Sequence, residues 1–166
     1  MPTPTYELIS SGNGNGSSAT ITLSSIPATY TDLVLIIKAK NASGGAMGNR
    51  IRFNGDTTDA NYSGVRVTAG GATLDDERDP AGIYALNSIS AEFNVAIVNI
   101  MNYASTAIRK STVSLAGYAQ SGGDHVRLSV GTWRDTSAIT SVTLFNDSPT
   151  AWSTDSTITL YGIKAS

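Results

Sequence analysis

Apolar and polar residues alternate one by one through short runs rich in Val, Ile, Leu and Thr, and no segment sustains the i, i+3, i+4, i+7 spacing of a helix face over ten residues. That alternation is the strongest constraint on the fold, because successive strand residues point to opposite sides of a sheet. Nine runs qualify: residues 19–25, 32–40, 49–54, 64–68, 91–101, 111–118, 125–133, 141–146 and 156–164. Gly, Asn, Asp, Ser and Pro separate them, as turns require. In HVRLSVGTW (125–133), Val126, Leu128 and Val130 fall on one face and His125, Arg127 and Ser129 on the other, which predicts a strand laying its aliphatic side on a core. STITLYGIK repeats the pattern with Ile158 and Leu160. LVLIIKA (33–39) is apolar on both faces and predicts a central strand beneath a covering loop or a second subunit. Many short strands with closely spaced turns predict an all-β, antiparallel β-sandwich of jelly-roll-like form. With 166 residues, one domain is expected.

Residues 1–18 differ from the rest. Pro2 and Pro4 disfavour regular pairing, and SSGNGNGSS has little to bury, so the segment reads as a flexible N-terminal arm ahead of a β-sandwich domain over 19–166. Tyr6, Leu8 and Ile9 give it a short apolar centre, suited to an interface in which the arm adds a strand to a neighbouring subunit. The competing reading makes the same residues the first edge strand of their own sheet.

Only 14% of residues are charged, against roughly 25% in ordinary soluble domains, while Ser and Thr supply about a quarter of the chain. Hydroxyls cost far less to bury against a partner than unpaired charges, so such a surface suits close protein contact. A net charge of −2 with scattered Lys and Arg gives no field for phosphate backbones, and nucleic acid is not an expected partner. Absence of Cys removes disulfides and thiolate metal sites. Nothing approaches 18 consecutive apolar residues, so no membrane association is expected.

IRFNGDTTDANYS (51–63) is the stretch that most resembles a chemical site, with Asp56 and Asp59 beside Asn54, Asn61, Arg50 and Arg52. Asn54-Gly55 after an alternating run is a turn signal, and both acids can bond nearby backbone N–H groups or pair with an arginine. The acids are not at EF-hand spacing and no distal Glu follows, so neither a metal nor a catalytic carboxylate pair is expected. His125, the single histidine, has no nucleophile motif around any serine, and zinc would need more ligands than the chain supplies. No catalytic residue, cofactor or metal is expected, and the chain reads as non-enzymatic. DDERDP (75–80) reads as a solvated loop, and DDERDPAGIYAL offers at most one helical turn. Trp152, in the turn-rich NDSPTAWSTDS, is read as a partly exposed interface contact, with the competing reading that it and Trp133 each cover the end of their own core. A glycan-binding alternative would use Trp133, Trp152 and Tyr62 as a stacking surface.

Taken in order, YELISS, ITLSSIPATYTDLVLI, NRIRFNGDTTDANYS and the closing TLYGIKAS resemble small β-sandwich virion proteins of tailed bacteriophages, notably those of cyanobacteria and other aquatic bacteria. The resemblance spans residues 4 to 164 apart from about 68 to 110. It implies a structural virion protein made in the host cytoplasm, foremost a capsid decoration (cement) protein. Its partners would be the major capsid protein or other virion subunits and copies of itself, as a homo-trimer on a local three-fold of the head. The alternative it leaves open is a carbohydrate- or receptor-binding domain of a tail fibre or baseplate.

Overall fold

The computed structural model describes residues 5–43, 48–70, 73–79, 81–86, 92–120 and 123–164. Among them, twelve strands form two antiparallel sheets packed face to face. They are β1 (Tyr6–Asn13), β2 (Thr20–Leu23), β3 (Asp32–Ala39), β4 (Asn49–Phe53), β5 (Tyr62–Gly70), β6 (Thr73–Asp79), β7 (Ile83–Tyr84), β8 (Asn94–Met101), β9 (Lys110–Gln120), β10 (Gly123–Trp133), β11 (Val142–Asn146) and β12 (Thr157–Ile163). The large sheet runs β1-β12-β3-β8-β9-β10-β5-β6 and the small one β2-β11-β4-β7. The expected all-β antiparallel sandwich is the observed fold, and each of the nine runs overlaps a strand.

The core lies between the sheets. Leu33, Leu35 and Ile37 of β3, Ile158 and Leu160 of β12, and Val98 and Ile100 of β8 meet Ile51 and Phe53 of β4 and Val142 and Leu144 of β11, all fully enclosed. Burying side chains of this kind contributes roughly 1.5–3 kcal/mol each. β3 is central, as its two-sided apolarity predicts, yet its outer side is only partly covered: Val34 is buried and Ile36 is 43% exposed.

Several expectations are corrected. Residues 6–13 are the edge strand β1 rather than an arm, paired with β12 from Tyr6↔Ile163 to Asn13↔Thr157. The glycine tract after it is tied down as well: Gly14 N–H donates to Ser156 O at 2.9 Å, Gly16 N–H to Trp152 O at 3.0 Å, and Asn15 Oδ1 accepts from the backbone of Ser17 and Ser18. Gly14 sits against the Ser153 backbone so closely that no Cβ would fit. The acidic run 75–79 belongs to β6, which hydrogen-bonds to β5 from Gly64↔Asp79 to Gly70↔Thr73. Where a helical turn was the most that 75–86 offered, the two-residue strand β7 adds instead to β4.

The largest reversal concerns β10. Arg127 and Ser129 face the interior, 4% and 2% exposed, and Val126, Leu128 and Val130 face outward at 47%, 50% and 45%. The reason lies in residues 83–86, which pass beneath the β9–β10 end of the large sheet and present backbone carbonyls to it. Ser114 Oγ donates to Tyr84 O at 3.0 Å and Arg127 Nη1 to Leu86 O at 2.6 Å. Buried carbonyls need donors, and Ser114 and Arg127 supply them on that stretch of the inner face; Ser129, buried beside them, makes no such bond.

Candidate interaction face

The Asn54-Gly55 turn directs the chain between β4 and β5, with both residues at positive φ (52° and 68°). Asn54 also fastens the loop before β11: its Oδ1 accepts from Thr140 N at 2.8 Å and Ser141 N at 3.1 Å, and its Nδ2 donates to Ala138 O at 2.9 Å. Asp56 follows as an Asx turn, accepting Thr58 N–H at 2.9 Å. Its other oxygen accepts Trp133 Nε1–H and Asn61 Nδ2–H, each at 2.8 Å. Partial burial works to raise the Asp56 pKa, but the donors from Trp133, Thr58 and Asn61 together outweigh it and hold the group at about 2. Asp59 pairs separately with Arg52 at 2.9 Å. The loop is therefore the turn that its residue types predict, and its carboxylates are structural ties.

His125 lies elsewhere. It stacks on Tyr118 across β9 and β10, ring centroids 4.7 Å apart and 6° from parallel. Asp56 is bonded to Trp133 at the opposite end of the same strand, roughly 26 Å along β10 from His125. The histidine and the acids do not converge, and among the described residues no three His, Cys, Asp or Glu side chains gather as a metal site would require.

The exposed readings of the aromatics are overturned, and the competing one, in which each tryptophan covers its own core, is what the structure shows. Trp133, Trp152 and Tyr62 are 1%, 0% and 1% exposed. Trp152 is enclosed where its turn-rich segment crosses the sandwich edge, its Nε1–H donating to Ala19 O at 2.9 Å while its backbone bridges Asn41. Trp133 and Tyr62 are cross-strand partners on β10 and β5, and the Tyr62 hydroxyl donates to Asp56 O at 3.1 Å. Rings packed in this way offer no stacking surface, and Trp152 is no interface contact. Tyr6 and Leu8 are accessible, at 55% and 63%, whereas Ile9 packs against the core.

What the structure does expose is the outer face of the large sheet. The strand register aligns Ile36, Ile97, Leu115, Leu128 and Val67 in one row across β3, β8, β9, β10 and β5. A second row holds Val34, Asn99, Val113, Val130 and Val65 on one side of it, and a third holds Lys38, Val95, Gly117, Val126 and Ala69 on the other. Of these fifteen positions only Lys38 is charged and only Asn99 is otherwise polar. Every residue of the first row is 39% to 55% exposed. From strand spacing and rise, the grid's footprint is roughly 24 by 20 Å, on the order of 500 Å², with Val34 at one corner already buried. That is at the upper end of the largest apolar patch on an ordinary monomer, about 300–600 Å².

The same face continues past β3. Tyr161 of β12 lies next to Val34 and opposite Leu8, and Tyr6 meets Tyr161 edge-on at 6.4 Å. The separate alternations of β8, β9, β10 and β5 carried this signal, but only their pairing register joins it into one surface. No protein-family model matches the chain, and neither a curated protein nor a solved structure is significantly similar to it.

Proposed function

We propose that this chain is a non-enzymatic structural subunit of a tailed-phage particle, a decoration protein that stabilises the head shell. The observation that carries the reading is the apolar outer face of the large sheet, which is suited to being covered by protein rather than left in water. The low charge and high hydroxyl content of the remaining surface favour further close contacts at small desolvation cost.

The strand order gives second-line support. The orders β1-β12-β3-β8 and β2-β11-β4-β7 support a jelly-roll reading, as two four-stranded sheets with the hairpins β5–β6 and β9–β10 widening one of them. Capsid and lectin domains both use that architecture, so the face, not the fold, bears the functional weight. Notably, β5, β9 and β10 supply nine of the fifteen grid positions, so the added hairpins carry most of the apolar surface.

The test uses heads assembled without this protein. Adding the purified chain is expected to give saturable binding and to raise the temperature at which packaged heads release DNA. Absence of binding to heads, with unchanged rupture temperature, would refute the head assignment.

A further inference from the structure

We infer that the outer face of the large sheet is a self-association surface, on which a second copy of this chain stacks its own identical face about a two-fold axis. The inference shares with the proposed function the premise that this face exists for protein contact, and it adds what covers it.

The occupant follows from chemistry and size. A grid with one charged residue among fifteen would leave a charged partner's side chains unpaired and buried, which costs several kcal/mol per ion. A flat, neutral, aliphatic surface avoids that, and a second copy supplies one without any further complementarity. Lys38, the single charge, stands at a corner of the grid, on the outer strand and in an outer row, so stacking can leave its ammonium in water. Two faces of the size given above bury on the order of 1,000 Å² together, the level at which specific interfaces begin. Corrugation of the aliphatic rows, and contact by Tyr6 and Leu8 beyond β3, add to it.

Sheet edges are poor alternatives for association. β6, at one edge, has five charged residues in seven (TLDDERD), and β1, at the other, has a register shift between Leu8 and Ser10. Charges and bulges on edge strands both oppose strand addition. Face-to-face stacking of two sheets about 10 Å apart, with mean strand directions some 30° apart, is how β-sandwich cores already form. One self-complementary face gives a closed dimer, whereas a three-fold ring needs two different patches per subunit. Leu115, in the middle row on the middle strand, falls at the centre of the contact.

The experiment is sedimentation equilibrium of the full chain from about 1 to 100 μM, with Leu115→Lys, Leu128→Glu and, on the outer side of the small sheet, Thr143→Lys. Expected results are a dimer for the wild type and Thr143→Lys, and a dissociation constant raised at least about tenfold in both leucine variants, with circular dichroism unchanged. A wild-type monomer at 100 μM, a trimer, or a dimer equally tight in both leucine variants would overturn the inference. Because the chain has no cysteine, Leu115→Cys gives an independent reading should the charged variants misfold. Mild oxidation is expected to link Leu115→Cys pairs and not Thr143→Cys pairs, and the reverse outcome would sink the two-fold stack. Heads stabilised equally by a monomeric Leu128→Glu chain would leave decoration standing without the dimer as its working form; a dimer that ignores heads would do the opposite.

Discussion

Asp56 is the residue on which the β4–β5 connection turns. Its pKa of about 2 lies below the ordinary 3.8, so the folded state binds the proton less tightly than the unfolded chain. The stabilisation is full above about pH 4 and is lost as pH falls through about 2; with allowance for solvent screening of a partly exposed group it amounts to about 1–2 kcal/mol. Asp56→Asn, which turns an amide donor or a weaker carbonyl toward Trp133 and Asn61, is expected to lose about that much at pH 7 and to flatten this part of the acid dependence. Urea unfolding followed by tryptophan fluorescence at pH 7 and pH 3 measures both. Asn54 is the companion case: at φ 52° with its Oδ1 shared by two backbone donors, Asn54→Ala is expected to cost about 1–3 kcal/mol in the same assay. The residue types announced a turn here, whereas Trp133 as its main side-chain partner lies 77 positions away in sequence and was visible only in the fold.

At the scale of elements, the inner side of β10 shows how one segment reverses its neighbour. Gly131 leaves room for Ile83, and a Cβ there would overlap the Ile83 side chain. Gly131→Ala is therefore expected to push β7 from β10 and destabilise by about 1–3 kcal/mol, read by denaturant midpoint. Arg127 has the complementary role. Burial, with Arg66 nearby, lowers its pKa to about 10, and it is held by Leu86 O, by Thr68 Oγ1 at 3.1 Å and over the Tyr84 ring at 5.7 Å. Arg127→Ala removes donors from buried acceptors and is expected to cost about 1–3 kcal/mol in thermal or denaturant unfolding. Periodicity predicted β10 correctly as a strand and assigned its core side wrongly, because alternation reports that two faces differ and not which one is covered. Likewise β6 was unreadable: its acidic residues disfavour strand formation by themselves, and pairing along β5 overrides that preference.

For the whole molecule, the chain's two ends close the large sheet together, β1 lying on β12 while β12 lies on β3. Deleting residues 1–13 would bare the β12 edge and uncover Ile21 and Leu23, which Gly12 approaches. The expected outcome is a midpoint temperature lower by at least about 5 °C with concentration-dependent aggregation, measured by calorimetry and light scattering. A free arm would instead leave the monomer unchanged.

Sequence alone determined the class: alternating β-branched runs divided by turn residues have no stable form except sheets, and the low charge fixed a surface of hydroxyls. It also determined the Asn54-Gly55 turn, because φ preferences are properties of the residues themselves. Tertiary structure decided which face of each strand meets the core, where Trp133 and Trp152 lie, and that separate aliphatic alternations on five strands join into one exposed plane. Those outcomes depend on strand register and on buried carbonyls needing donors, which are relations between distant segments and are encoded in no single stretch of chain.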